Sequence, residues 1–97
     1  MNIFVITCID IRYKPERKHT SEWYCSLDIA KKAVEHNSGD MCEGATNHWA
    51  LIEEITEGFP FVVAEHWFEW IGDFEDGGYK PATKPEFSDG VCNWGIG

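Results

Sequence analysis

The run Asn2-Ile3-Phe4-Val5-Ile6-Thr7-Cys8-Ile9-Asp10-Ile11 decides how this chain folds. Ile3, Val5, Thr7, Ile9 and Ile11 alternate with Phe4, Ile6, Cys8 and Asp10. Successive strand residues point to opposite faces, so both faces of this segment are apolar for most of its length. Such a strand belongs inside a sheet with cover on each side, not at a solvated margin. The rest of the 97 residues must supply its neighbours and its cover.

Beyond Ile11 the hydrophobic period disappears. Residues 12–20 contain Pro15 and read as a loop, longer than the usual hairpin connection of about two to five residues. Four of the chain's eight Lys and Arg residues, Arg12, Lys14, Arg17 and Lys18, fall in this loop, with His19 next in line. With Glu16 the loop carries +3, which leaves −12 on the remainder of a chain whose net charge is −9. Trp23 and Tyr24 then suggest a short second strand, antiparallel to the first.

Ser26 is suited to cap a helix from about Leu27 to His36, because its hydroxyl can accept from a free backbone N–H, and Asp28 complements the positive end of the dipole. By the helical period, Leu27, Ile29, Ala30, Ala33 and Val34 form one apolar face, opposed by Asp28, Lys31, Lys32 and Glu35. Asn37 and Gly39 suit the helix stop. His48 to Ile55 and Phe61 to Ile71 are rich in strand-forming residues and flank Glu57-Gly58-Phe59-Pro60, a hairpin pattern. In the second of these strands Ala64, His66, Phe68 and Trp70 share one face, and Trp67 projects between Glu65 and Glu69 on the other. From Gly72 onward glycines and prolines break the pattern, although Tyr79 to Thr83 fits an edge strand.

The expected fold is therefore a single α+β domain over residues 1–97. It has a small antiparallel sheet of four to five strands with one amphipathic helix on one face, in the order β-β-α-β-β. Residues 12–20 form its basic loop and residues 72–97 an irregular C-terminal segment. One helix covers one face, so the other needs the aromatic C-terminal segment or a second subunit. With so short a chain, five Trp and six Phe, a homo-oligomer is expected.

Several roles are disfavoured. No signal-like leader or long apolar run is seen, which points to a cytoplasmic protein with no membrane association. In that compartment Cys8, Cys25, Cys42 and Cys92 are expected as free, largely buried thiols. Duplex nucleic acid is an unsuitable ligand for a surface this acidic. The four His and four Cys show no spacing typical of zinc sites, and Asp73, Glu75 and Asp76 lack the alternating ligands and closing Glu of a calcium loop. Asp40 and Glu43, near His48, could in principle exchange protons, but nothing supplies a nucleophile, and capping a turn explains them more simply. No enzyme activity, metal or cofactor is expected.

Trp23 to Asn37, followed by Asp40, Glu43-Gly44, Ala50-Leu51-Ile52-Glu53-Glu54 and the closing Asn93-Trp94-Gly95-Ile96-Gly97, resembles a group of small uncharacterised bacterial and phage proteins. The resemblance spans most of the chain outside the basic loop and implies a one-domain α+β fold. In size and composition the chain is also similar to phage anti-defence proteins. That likeness implies one of two non-enzymatic roles. In the first, which is the preferred reading, the protein sequesters a small phosphorylated nucleotide-like immune signal. Arg12, Lys14, Arg17 and Lys18 would hold phosphate, His19 or His48 would hydrogen-bond, and Trp23, Trp67 or Trp94, with Asn93, would meet the base. In the second, ordered carboxylates mimic nucleic acid and inhibit a basic host protein.

Overall fold

The computed structural model describes residues 2–13, 17–36, 47–56, 62–72 and 77–85, excepting the side chains of Arg17, His19 and Ser21. Five strands form one antiparallel sheet: β1 (Asn2–Asp10), β2 (Arg17–Tyr24), β3 (Trp49–Thr56), β4 (Val62–Ile71) and β5 (Gly78–Ala82). The single helix among the described residues, α1 (Leu27–Glu35), lies between β2 and β3 in the chain. In space the strands run β2-β1-β3-β4-β5. The strand over residues 2–10 is thus internal, paired with β2 on one side and β3 on the other. The order β-β-α-β-β is corrected to one in which a fifth strand follows. Residues 72–97 accordingly include a paired element at Gly78–Ala82, with Pro81 tolerated because β5 is an edge strand.

Helix α1 begins where expected. The Ser26 hydroxyl accepts from the Ile29 backbone N–H at 3.4 Å, and Asp28 occupies the first turn. Ala30, Ala33 and Val34 are buried against Phe4, Ile6, Cys8, Ala50, Ile52, Phe68 and Tyr79. Ile29 is 56% exposed, which corrects its assignment to the buried face. The buried arc centres on Ala30 and Val34, and Ile29 falls at one margin of it while half-buried Lys31 falls at the other.

The face away from α1 is buried as well. Val5, Ile9, Leu51 and Glu53 are inaccessible or nearly so, and Trp67 is 6% exposed, all within one chain. The argument that a second subunit must shield this face therefore does not apply to these residues. At the far end of β4, Gly72 takes a φ of 101°, a conformation that a side chain would strain.

Two sequence expectations about local chemistry change. The loop over residues 12–20 is shorter than expected, because Arg17 to Thr20 belong to β2 and pair with Asp10 to Thr7. Polar residues suit an edge strand, which needs no buried face, so missing hydrophobic alternation did not mean missing strand. Cys8 is disulfide-bonded, and Cys25 is a free but exposed thiol, which corrects the expectation of free, buried thiols at both positions. Spacing along the chain carries no information about the distance between sulfurs. Cys42 and Cys92 lie outside the described residues.

Candidate functional site

Of the basic run, the structure describes the side chains of Arg12 and Lys18. Asp10, buried at the end of β1, takes up Arg12: its carboxylate accepts from Arg12 Nε at 3.0 Å, from Arg12 Nη2 at 2.8 Å and from the Arg12 backbone N–H at 3.0 Å. The hydrogen bond and charge of Asp10 raise the guanidinium's proton affinity above its ordinary value. Arg17 and Lys18 stand in register with Asp10 and Ile9. Lys18 is exposed, and Lys14 lies outside the described residues.

The expected hydrogen-bonding and stacking groups are distributed along the chain. His19 stands opposite Cys8 on β1. His48 is half-buried and donates from Nε2 to Glu69 Oε2 at 2.7 Å, with its ring edge-on to Trp49 at 5.4 Å. Trp67 is buried in an edge-to-face contact with Trp49 at 6.1 Å, and its Nε1–H donates to Glu65 at 3.2 Å. Its placement between Glu65 and Glu69 is as the alternation predicts, and its ring is 6% exposed and packed against Trp49. Asn93 and Trp94 lie outside the described residues, as do Asp40 and Glu43. The described members of the expected site therefore lie just after β1, on β2, just before β3 and on β4.

Two other locations carry more. The first is the corner where β2 passes into α1. Trp23 is 62% exposed there, and Glu22, Cys25, Asp28 and Ile29 are exposed within the same eight residues of chain. The Tyr24 hydroxyl donates to Glu22, an interaction that raises the phenol's pKa. Among the described residues β2 pairs only with β1. Sequence reading named Trp23 but grouped it with the basic run. Strand alternation shows that Trp23 stands with Val5 on the face away from the helix.

The second location is at the opposite margin of the sheet, between α1, β4 and the end of β5. A cavity of about 420 Å³ lies there, lined by Lys31, Glu35, Glu65, His66, Trp67, Phe68, Pro81, Ala82 and Lys84. Burial, and then the charge of Lys31, lower the His66 pKa, against an opposing influence from Glu54. Lys31, His66 and Lys84 were not singled out from the sequence as ligand-binding residues. The available signal was weak: Lys31 sits at the margin of the helical apolar face, and His66 shares a strand face with Phe68 and Trp70.

Among the described residues no three His, Cys, Asp or Glu side chains are gathered to hold a metal ion, and no helix is long and apolar enough to cross a membrane. No protein-family model, curated protein or solved structure matches the chain.

Proposed function

We propose that this protein is a non-catalytic, protein-binding inhibitor that docks a basic partner through the corner formed by β2 and the start of α1. The observation that carries this reading is Trp23, an indole 62% exposed on an edge strand. An exposed aromatic ring of this kind supplies the central anchor of many protein interfaces, because it buries a large area with few rotatable bonds. Glu22 and Asp28 flank it in sequence, and the chain's net charge of −9 favours encounter with a cationic surface. In a phage this chemistry suits the blocking of a nucleic-acid-binding host protein.

Sequestration of a small phosphorylated nucleotide-like ligand by the basic run is the weaker reading. Arg12 is held by Asp10, and Trp67 is 6% exposed. The test is parallel affinity capture from a host lysate with the wild-type chain and Trp23→Ala. Retention of a basic protein that weakens about thirtyfold in the variant, and also weakens in high salt, supports the reading. Equal retention by both chains contradicts it.

A further inference from the structure

β5 pairs with Trp67 to Ile71 of β4, so among the described residues no strand pairs with that edge of β4 from His66 toward its start. The cavity of about 420 Å³ lies beside this edge, beneath the margin of α1. Its size falls within the range of about 300–1,000 Å³ typical of small-molecule sites.

Two polar groups in its walls have no counterpart. Lys31 is half-buried yet forms no ion pair among the described residues. His66 Nε2 is buried with no hydrogen-bond partner. The remaining charges do not fill this need: Lys84 pairs with Glu65 at 3.6 Å, and Glu35 is exposed. Trp67 and Phe68 add an apolar wall.

We propose that this cleft binds a small organic anion, a carboxylate or phosphate carried on a planar apolar body, with Lys31 as its counter-ion and the His66 imidazole in its wall. The site is independent of the protein-docking corner and goes beyond that reading. It also has a built-in pH dependence. The charges around His66 are Lys31 and Glu35 from α1, Glu54 from β3, Glu65 from β4 and Lys84 beyond β5. Burial and Lys31 hold the imidazole neutral; an anion beside Lys31 offsets that cation and draws a proton onto the ring. Affinity therefore rises as pH falls toward the imidazole's range.

The full chain is titrated separately with benzoate, inorganic phosphate and adenosine monophosphate at about pH 6 and about pH 7.5, reading the His66 imidazole and Trp67 indole resonances by NMR. Saturable shifts, tighter at the lower pH, are expected with at least one probe: benzoate alone identifies a carboxylate ligand, and the phosphates alone identify a phosphorylated one. Lys31→Met weakens binding at least about tenfold, the loss of one charge-assisted contact. Lys31→Gln, which keeps the helix surface polar, repeats that loss, and Lys32→Met binds as the wild type does. Failure of all three probes to saturate below about 10 mM, or unchanged affinity in both Lys31 variants, overturns the proposal.

Discussion

At the β2 margin Arg12 is matched within the protein, whereas at the β5 margin an inconspicuous lysine, Lys31, forms no ion pair among the described residues. Arg12 spends its fork on Asp10. Lys31 lines a cavity together with His66, whose Nε2 has no hydrogen-bond partner. The contrast shows that charge density along a chain is a poor guide to charge left available in space. What the β2 margin leaves exposed is an indole; what the β5 margin leaves is a half-buried cation in a notch. The first suits a protein surface and the second a small anion.

The largest effect that would sharpen this contrast is on stability. Phe68 is 2% exposed and forms both core and cavity wall, so Phe68→Ala is expected to lower unfolding free energy by about 3–5 kcal/mol in denaturant melts. Trp23→Ala, at the other margin, should stay within about 0.5 kcal/mol of wild type, as exposed substitutions do. A comparable loss from both would mean that Trp23 packs against something and is unsuited to docking.

A smaller effect separates the matched cation from the unmatched one. Asp10→Ala removes the acceptor of the Arg12 backbone N–H as well as of its side chain, and should cost about 1–2 kcal/mol. Lys31→Met removes no ion pair among the described residues and should leave the melting curve in place. Reversal of this order would break the distinction between the two margins. Ser26→Ala, which removes the cap that sets α1 between them, should cost about 1 kcal/mol by the same measurement.

The smallest effect is a titration. His66 is pushed below its ordinary pKa, chiefly by burial, so the unfolded chain binds the proton more readily than the folded one. The stability contributed by this neutral ring is full above the unfolded value of about 6.5 and declines as pH falls through it toward the folded pKa. Denaturation midpoints should drop between about pH 7.5 and pH 5.5, and His66→Gln should flatten that decline. An unchanged slope in the variant would place the proton uptake elsewhere.

Much of the fold could be read in advance because its signals are periodic. The two-faced apolar run over residues 2–11 specified an internal strand, Ser26 and Asp28 specified a helix start, and the alternation of His66, Phe68 and Trp70 specified the face of β4 turned to the helix core. Edge strands were harder. Arg17 to Thr20 bury no continuous face, so hydrophobic periodicity had nothing to report, and only pairing with β1 reveals them as strand. The candidate sites were harder still, because each depends on distances between elements. Asp10 reads as an ordinary polar strand residue until it meets Arg12, and Lys31 as a solvated helix lysine until β5 ends short of His66.

The account's central claim is most directly tested by capture from host lysate on three immobilised chains: wild type, Trp23→Ala, and a variant with Arg12, Lys14, Arg17 and Lys18 all changed to Gln. The account predicts that a basic protein stays bound to the wild type and to the charge-neutralised variant and is lost from Trp23→Ala. Loss from the neutralised variant with full retention by Trp23→Ala would contradict it and return the binding role to the basic run.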